Sequence, residues 1–424
     1  MDRFVMGVRR RRCRYTAKCL LLYTYVSFAS RKSARFAASK SSLLVSCASP
    51  VIAGETDLKG LLPEQLRALA ADMGEPAYRG DQLFGWIHEG QSRIEAMSNL
   101  PKRFRQALLD AGASVGRLQL LERRDSDTGM AVKFLLESQA SGPGAAPVAA
   151  GQIEAVLIVD GDRRTACLSS QVGCALDCQF CATGRMGFRR NLSAAEIVDQ
   201  LLQLQAVAAE RGERVTNIVM MGMGEPLLNY DEVTQALRII RHSEGPAIGG
   251  RRMTVSTAGY LPGIRRLTED DLNVGLAISL NATTDTVRER LMPINRKWPI
   301  AELLQAARDY FDRKGRRVTF EYVLMDGVTD SDEDARRLAA LTRDIPCKIN
   351  LIPYNEPGDE GKADETPTFR RTPRSRVQAF LRGLRTQTDH TVTLRESRGR
   401  DIGAACGQLY IQQETRRLRV ATTA

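Results

Sequence analysis

The apolar positions of this chain change their period twice. Between residues 57 and 112 they recur every three to four positions. LLPEQLRALAADMG and RGDQLFGWIHEG carry that spacing and close on glycine, and LPKRFRQALLDAGA repeats it. Such a stripe gives a helix one buried face, so a small helical module is predicted. Between 115 and 165 the pattern turns to strands. RLQLLERRDS, MAVKFLLES and EAVLIVDGDR surround a Gly/Pro/Ala loop at 140–151, which predicts a β-rich linker or small sheet.

From Arg164 onward strands and helices alternate. The candidate strands are TACLSSQ, VTNIVMMG, MTVSTAG, VGLAISLNA, VTFEYVLMDG and KINLIPYN. The clearest helix opens at Ser193, with Glu196 three residues on, which is a capping-box pattern. Its apolar stripe is Ile197, Leu201, Leu204 and Val207. DEVTQALRIIRHS, IAELLQAARDYFDRKG and DEDARRLAALTRD are further helices. Runs such as IVMM and LAISL do not alternate, so both faces of those strands are expected to be covered. Repeated βα units of this kind predict an α/β fold with a parallel sheet, open or curled into a barrel. Its active site belongs at the C-terminal ends of the strands. A charged, aperiodic loop spans 356–373. A helix RSRVQAFLRGLRTQT, a strand HTVTLRES and a tail RGRDIGAACGQLYIQQ follow it.

Charge alters this picture in one place. The chain of 424 residues carries a formal +11. Residues 1–54 hold eleven of its 61 Lys and Arg but one of its 50 acids, Asp2, and eight Ser fall between Ser27 and Ser49. That composition reads as a targeting presequence for organelle import, with the chloroplast as the first destination and the mitochondrion as the alternative. Its apolar run CLLLYTYVSFA is about half of the roughly 20 residues that cross a bilayer, and no later segment resembles a membrane span. The remaining chain is close to neutral, so no global field marks a nucleic-acid partner. A local run does: Arg382, Arg385, Arg395, Arg398 and Arg400 flank the stretch leading to Cys406, and phosphate contacts are one use for them. A solvated face is the other.

Of nine cysteines, Cys13, Cys19 and Cys47 fall in the leader. Cys174, Cys178 and Cys181 form a C-x3-C-x2-C triplet, and Cys167, Cys347 and Cys406 stand apart. In a reducing compartment such a cluster means metal or catalysis. Structural zinc takes four ligands, usually as two pairs, so a zinc or inert triplet is the lesser reading. Three thiolates on one loop can instead hold three corners of a cubane iron–sulfur cluster, leaving one iron open. The triplet follows a strand and precedes a capped helix, which places it at the predicted barrel mouth. Cys347 reads as a core residue, and the three histidines form no spaced ligand set.

The triplet resembles the radical S-adenosylmethionine superfamily. QVGC…C.FCATG, GMGEP, TVSTAG, SLNATTDTVRERLMPINR, INLIPYN and DIGAACGQL together resemble its adenine-C2 RNA methyltransferases, over residues 57–412. The resemblance implies a partial (β/α)6 barrel. It divides the chain into a presequence 1–54, a helical RNA-binding module 55–114, a β-rich linker 115–163, a catalytic core 164–412 and a basic tail 413–424. It implies a 4Fe-4S cluster on Cys174, Cys178 and Cys181, and S-adenosylmethionine contacts at Gly224, Glu225, Ser256, Ser279, Leu280, Asn281 and Asn355. Asn281 stands where the family often has His. Cys406 would be methylated by one S-adenosylmethionine. A radical made from a second would activate that methyl for addition to carbon 2. Cys167 would resolve the product by forming a disulfide with Cys406, and Glu154 would accept the proton. The partners implied are ribosomal RNA, transfer RNA or both, and an electron donor such as a flavodoxin or ferredoxin. A monomer with no membrane association is expected. Methylation at carbon 8, radical activation of a protein partner, and an inactive RNA-binding relative are the alternatives.

Overall fold

A computed structural model describes residues 56–138, 151–356 and 369–409. The leader, most of the 140–151 loop, the middle of the 356–373 loop and the basic tail lie outside the described residues.

The helical module forms as the stripes predict, with α1 (Pro63–Asp72), α2 (Tyr78–His88) and α3 (Lys102–Asp110). Their apolar faces are Leu66 and Leu69, Leu83, Phe84 and Ile87, and Phe104 and Leu108, all buried. A buried ion pair ties the module to the core: Lys59 Nζ lies 2.6 Å from Asp199 Oδ1. The other oxygen of Asp199 accepts from Leu118 N at 3.1 Å.

The strands that follow are not a separate linker layer. β1 (Leu118–Asp125), β2 (Ala131–Ser138), β3 (Gln152–Asp160) and β4 (Arg163–Cys167) form an antiparallel meander. That meander continues the main sheet. β4 pairs in parallel with β7 (Asn217–Met220), and β8 (Met253–Thr257), β9 (Gly275–Ser279), β10 (Val318–Leu324), β11 (Cys347–Pro353) and β12 (Thr391–Leu394) follow in order. The sheet has ten strands, and its edge strands are β1 and β12. The parallel part is an open α/β arrangement, and β12 extends it beyond the six strands expected. β5 (Gln171–Gly173) and β6 (Phe188–Asn191) form a small two-stranded sheet of their own beside it.

The connecting helices are α5 (Ala194–Glu210), α6 (Tyr230–Arg241), α7 (Leu261–Glu269), α8 (Asp285–Leu291), α9 (Ile300–Lys314), α10 (Asp332–Thr342) and α11 (Arg374–Arg385), with a single turn α4 (Ala182–Arg185) before them. The Ser193–Glu196 capping box of α5 is present in both directions. Cys347 is buried at the start of β11, as a core residue should be. Helix α9 ends at Gly315 with φ +64°, the left-handed stop that glycine allows. No helix among the described residues is long and apolar enough to cross a membrane.

Candidate active site

The C-terminal ends of β7, β8, β9, β10 and β11 share one rim, and with the loops after β5, β7, β8, β9, β11 and β12 they line a cavity of about 170 Å³. Cys174, Cys178, Cys181, Gly224, Glu225, Ser256, Ser279, Asn281, Asn355 and Cys406 all line it. Leu176, Phe180, Met220 and Met292 supply an apolar wall. Leu280 does not line it: its side chain is fully buried in the core behind the rim. The strand alternation explains this, since Ser279 and Leu280 are adjacent and cannot both face the cavity.

The cysteine loop is shaped by its own backbone. Cys174 N donates to Gly187 O at 2.9 Å, and Cys181 N donates to Cys178 O at 3.0 Å. Gly184 packs closely there, where a Cβ would sit 3.0 Å from Cys178 O. Burial pushes the Cys174 thiol up to about 12 and the Cys178 thiol well above its ordinary value, and neighbouring thiols add to both rises. Thiolates become stable in such a place when a metal displaces the protons. Among the described residues no three His, Cys, Asp or Glu converge as ligands of a single ion. Cys174, Cys178 and Cys181 do line one cavity together, and three thiolates on one loop are a donor set that a cubane iron–sulfur cluster can use.

The GMGEP segment lies hard against the backbone that follows β4. A Cβ at Gly222 would sit 2.7 Å from Leu168 C, and one at Gly224, where φ is +97°, would sit 2.5 Å from Gln171 Cβ. Glu225 is 3% exposed. Its Oε1 accepts from Leu227 N at 3.1 Å and its Oε2 from Ala258 N at 2.8 Å. Burial pushes its carboxyl up to about 7 against those bonds. Asn281 has φ +54° and is buried. Its Oδ1 accepts from Val323 N at 3.0 Å and its amide lies 3.5 Å from Met292 Sδ.

Cys406 reaches this cavity on a loop after β12, held from three sides. Gly407 O accepts from Ala182 N at 2.8 Å, and Leu409 O accepts from Thr183 Oγ1 at 2.8 Å. Asn355 Nδ2 donates to Cys406 O at 3.2 Å and to Ser397 Oγ at 2.9 Å. Asp401 accepts from Ser126 Oγ and Asp127 N, each at 2.9 Å, which fastens the loop to the β1–β2 turn. Asn355 is thus a tether of the Cys406 loop as well as a cavity residue.

Cys167 and Glu154 come from neighbouring strands. Cys167 sits opposite Val156 in the β3–β4 ladder, and Glu154 is two residues from Val156, so both side chains share one face. Burial pushes the Cys167 thiol up to about 12; the Cys406 charge adds to this and Arg395 opposes it. Both cysteines are free thiols. Glu154 is buried and pairs with Lys133 Nζ at 2.9 Å, and that ammonium also reaches Gly403 O at 3.4 Å. Sequence reasoning missed Lys133, although a lone lysine inside the apolar run MAVKFLL was the available signal. It also misjudged Arg395. That side chain does not project into solvent for phosphate: Cys406, Glu321 and Cys167 hold its guanidinium charged. Arg385 donates to Val392 O at 2.9 Å, and Arg398 lies 3.4 Å from Asp160; Arg382, Arg385 and Arg400 are the exposed members of the run.

Comparison with known proteins agrees with this geometry. Residues 168–339 match the Radical SAM superfamily, and residues 56–112 match the Ribosomal RNA large subunit methyltransferase N-terminal domain. The "Probable dual-specificity RNA methyltransferase RlmN" of Moorella thermoacetica is 46% identical over 359 residues, covering 83% of this chain and 96% of its own. The "Dual-specificity RNA methyltransferase RlmN" of Anaeromyxobacter dehalogenans is 42% identical over 359 residues, covering 83% and 91%. The crystal structure of a radical SAM methyltransferase from Sphaerobacter thermophilus superposes with a TM-score of 0.77 at 42% identity, over 84% of this chain and 99% of that one. At these identities and coverages the chain belongs to the radical SAM superfamily and, within it, to the RlmN family of RNA methyltransferases.

Proposed function

We propose that the chain methylates carbon 2 of an adenine in large-subunit ribosomal RNA, transfer RNA or both, with Cys406 as methyl carrier. One observation carries this reading: Cys406 lines the same cavity as Cys174, Cys178 and Cys181. Those three thiols would hold a 4Fe-4S cluster, which supplies the single electron that splits S-adenosylmethionine and begins the radical chemistry. The side chains do the rest by position. Glu225, fixed by Leu227 N and Ala258 N, keeps lone pairs toward the cavity for an amino group. Ser256, Ser279 and Asn281 add small polar groups on the same rim, and the Gly224 backbone comes close without a Cβ in the way. Leu176, Phe180, Met220 and Met292 keep water from the reacting groups.

Cys406 Sγ accepts a methyl group, whose carbon passes to the adenine. Glu154, oriented by Lys133, would take the proton from the adenine ring. Cys167 would attack Cys406 Sγ, forming a disulfide as the bond to RNA breaks. That disulfide needs two electrons before the next turnover. Two S-adenosylmethionine molecules serve each cycle, one as methyl donor and one as radical source. A flavodoxin- or ferredoxin-type donor supplies the electron, and the protein acts as a monomer. The leader, which lies outside the family match beginning at residue 56, directs import to the chloroplast, with the mitochondrion as alternative.

Mass spectrometry of nucleosides from RNA treated with the reconstituted protein tests this. We expect 2-methyladenosine with wild type and none with Cys406→Ala, which still cleaves S-adenosylmethionine. Methylated RNA from Cys406→Ala would overturn the carrier role. With Cys167→Ala a protein–RNA adduct is expected to persist, and rapid turnover by that variant would remove Cys167 from the cycle.

A further inference from the structure

Helix α8 holds an arginine with no exposed surface. Arg288 is 0% exposed. All three of its nitrogens are engaged: Nε donates to Leu280 O at 3.0 Å, Nη1 to Asn295 Oδ1 at 3.0 Å, and Nη2 to Ala258 O at 2.7 Å and Ser279 O at 3.1 Å. All four acceptors are neutral. No ion pair joins Arg288 to a carboxylate among the described residues. The nearest acid, Asp285, is turned to Asn295 Nδ2 and Ile300 N, at 3.0 and 2.9 Å. Burial pushes the guanidinium down to about 10, opposed first by Cys178 and then by Asp285. A buried cation without a counter-charge costs several kcal/mol. The fold accepts that cost directly beneath the site.

The location is specific. Leu291 O, at the end of α8, accepts from Gln179 N at 2.9 Å, inside the cysteine loop. Leu291 and Met292 pack in one apolar cluster with Leu176, Cys178 and Phe180. Ala258 and Ser279, whose carbonyls Arg288 grips, line the cavity with Cys178. Arg288 therefore grips the ends of β8 and β9, and Leu291 and Met292, which follow it on the same helix and its C-cap, pack against the cysteine loop. Gly259 has φ +109°, and a Cβ there would come within 3.1 Å of Arg288 Nη2, so the turn is shaped around this side chain.

We propose that Arg288 is a positioning residue of the radical site: it is the buried cation that balances the anionic cysteine loop, and its fork fixes the strand ends on which S-adenosylmethionine rests. This rests on Cys174, Cys178 and Cys181 being cluster ligands. With three thiolates, a cubane core of charge 2+ has a net charge of −1, and one electron from an external donor makes it −2. A fixed positive charge nearby favours the more negative state, so Arg288 raises the potential at which that electron is accepted.

The test uses the full chain, reconstituted anaerobically with iron and sulfide, as wild type, Arg288→Gln and Arg288→Lys. Iron and sulfide content is measured first. A wild type that takes up no cluster refutes the ligand assignment itself. Potentiometric titration then reads the one-electron equilibrium, and calorimetry reads S-adenosylmethionine affinity. Arg288→Gln is expected to lower the reduction equilibrium at least tenfold, about 59 mV for one electron. Arg288→Lys keeps the charge and loses the fork. It is expected to stay within threefold in reduction while its Kd for S-adenosylmethionine rises at least tenfold. A loaded Arg288→Gln at wild-type potential overturns the charge role, and Lys with wild-type affinity overturns the positioning role. If the Gln variant fails to load, the Lys variant decides alone: a tenfold fall in its reduction equilibrium means that charge is not what Arg288 contributes.

Discussion

Asn355→Ala is the perturbation that separates holding the Cys406 loop from lining the cavity. Asn355 is 4% exposed. Its amide donates to Ser397 Oγ at 2.9 Å and to Cys406 O at 3.2 Å, while Arg371 Nη1 lies 3.3 Å from its Oδ1. Truncation removes both donated bonds and strips Cys406 O of this donor. A net hydrogen bond is worth about 1 kcal/mol, and leaving a buried partner unsatisfied costs about 1–3 kcal/mol. The loop should therefore lose about 2–4 kcal/mol of local stability, a roughly 30- to 700-fold rise in its open population. Amide hydrogen exchange of Ala404–Gly407, measured without S-adenosylmethionine, reads that population directly. Protection there should fall by that factor while the β10 and β11 amides keep theirs. Asn355→Asp retains an acceptor for Arg371 but no donor, so it should loosen the loop similarly. Unchanged protection in both variants would refute the tether.

Gly224→Ala should cost about 2–4 kcal/mol in urea unfolding, since the residue sits at φ +97° and its new Cβ meets Gln171 Cβ at 2.5 Å; a loss below about 1 kcal/mol would refute the close-approach argument. His88 gives a pH signature. Its ring nitrogens are buried without partners, and burial pushes it down to about 4 from 6.5. The unfolded chain takes up the proton first, so stability is full above pH 6.5 and falls as pH drops toward 4, by up to about 3 kcal/mol. His88→Leu should flatten that part of the stability–pH curve, and an undiminished slope would assign it to other groups.

The sequence made legible what local rules govern. The Ser193–Glu196 box, the Gly315 stop and the alternating units announce themselves within a few residues. The three-cysteine loop was readable because thiol spacing is written in consecutive positions, whereas GMGEP was readable only through the family resemblance, since a glycine pair by itself also marks an ordinary tight turn. Sheet order is not local, so the union of β1–β3 with the main sheet could not be read from their hairpin pattern. Helix α8 is seven residues long. It buries a guanidinium instead of an apolar stripe, so no periodicity reveals it. Arg395 looked like one more basic residue in a charged run, because burial of a charge leaves no trace in composition. Leu280 shows the converse limit: a matched motif names a position, and the strand decides which way its side chain faces.

The three-sided hold on the Cys406 loop also sets an order in time. Its partners Ser126, Thr183 and Asn355 belong to segments made much earlier, and the Ser126–Asp401 contact joins residues 275 apart in the chain. A chain emerging from the ribosome can pair β1 through β11 before this loop exists. This wall of the cavity is therefore synthesised after the others, and the cysteine triplet stays open on that side until then. A nascent chain halted after β12 should already own the nest for iron and sulfide, yet lack the cysteine that closes it.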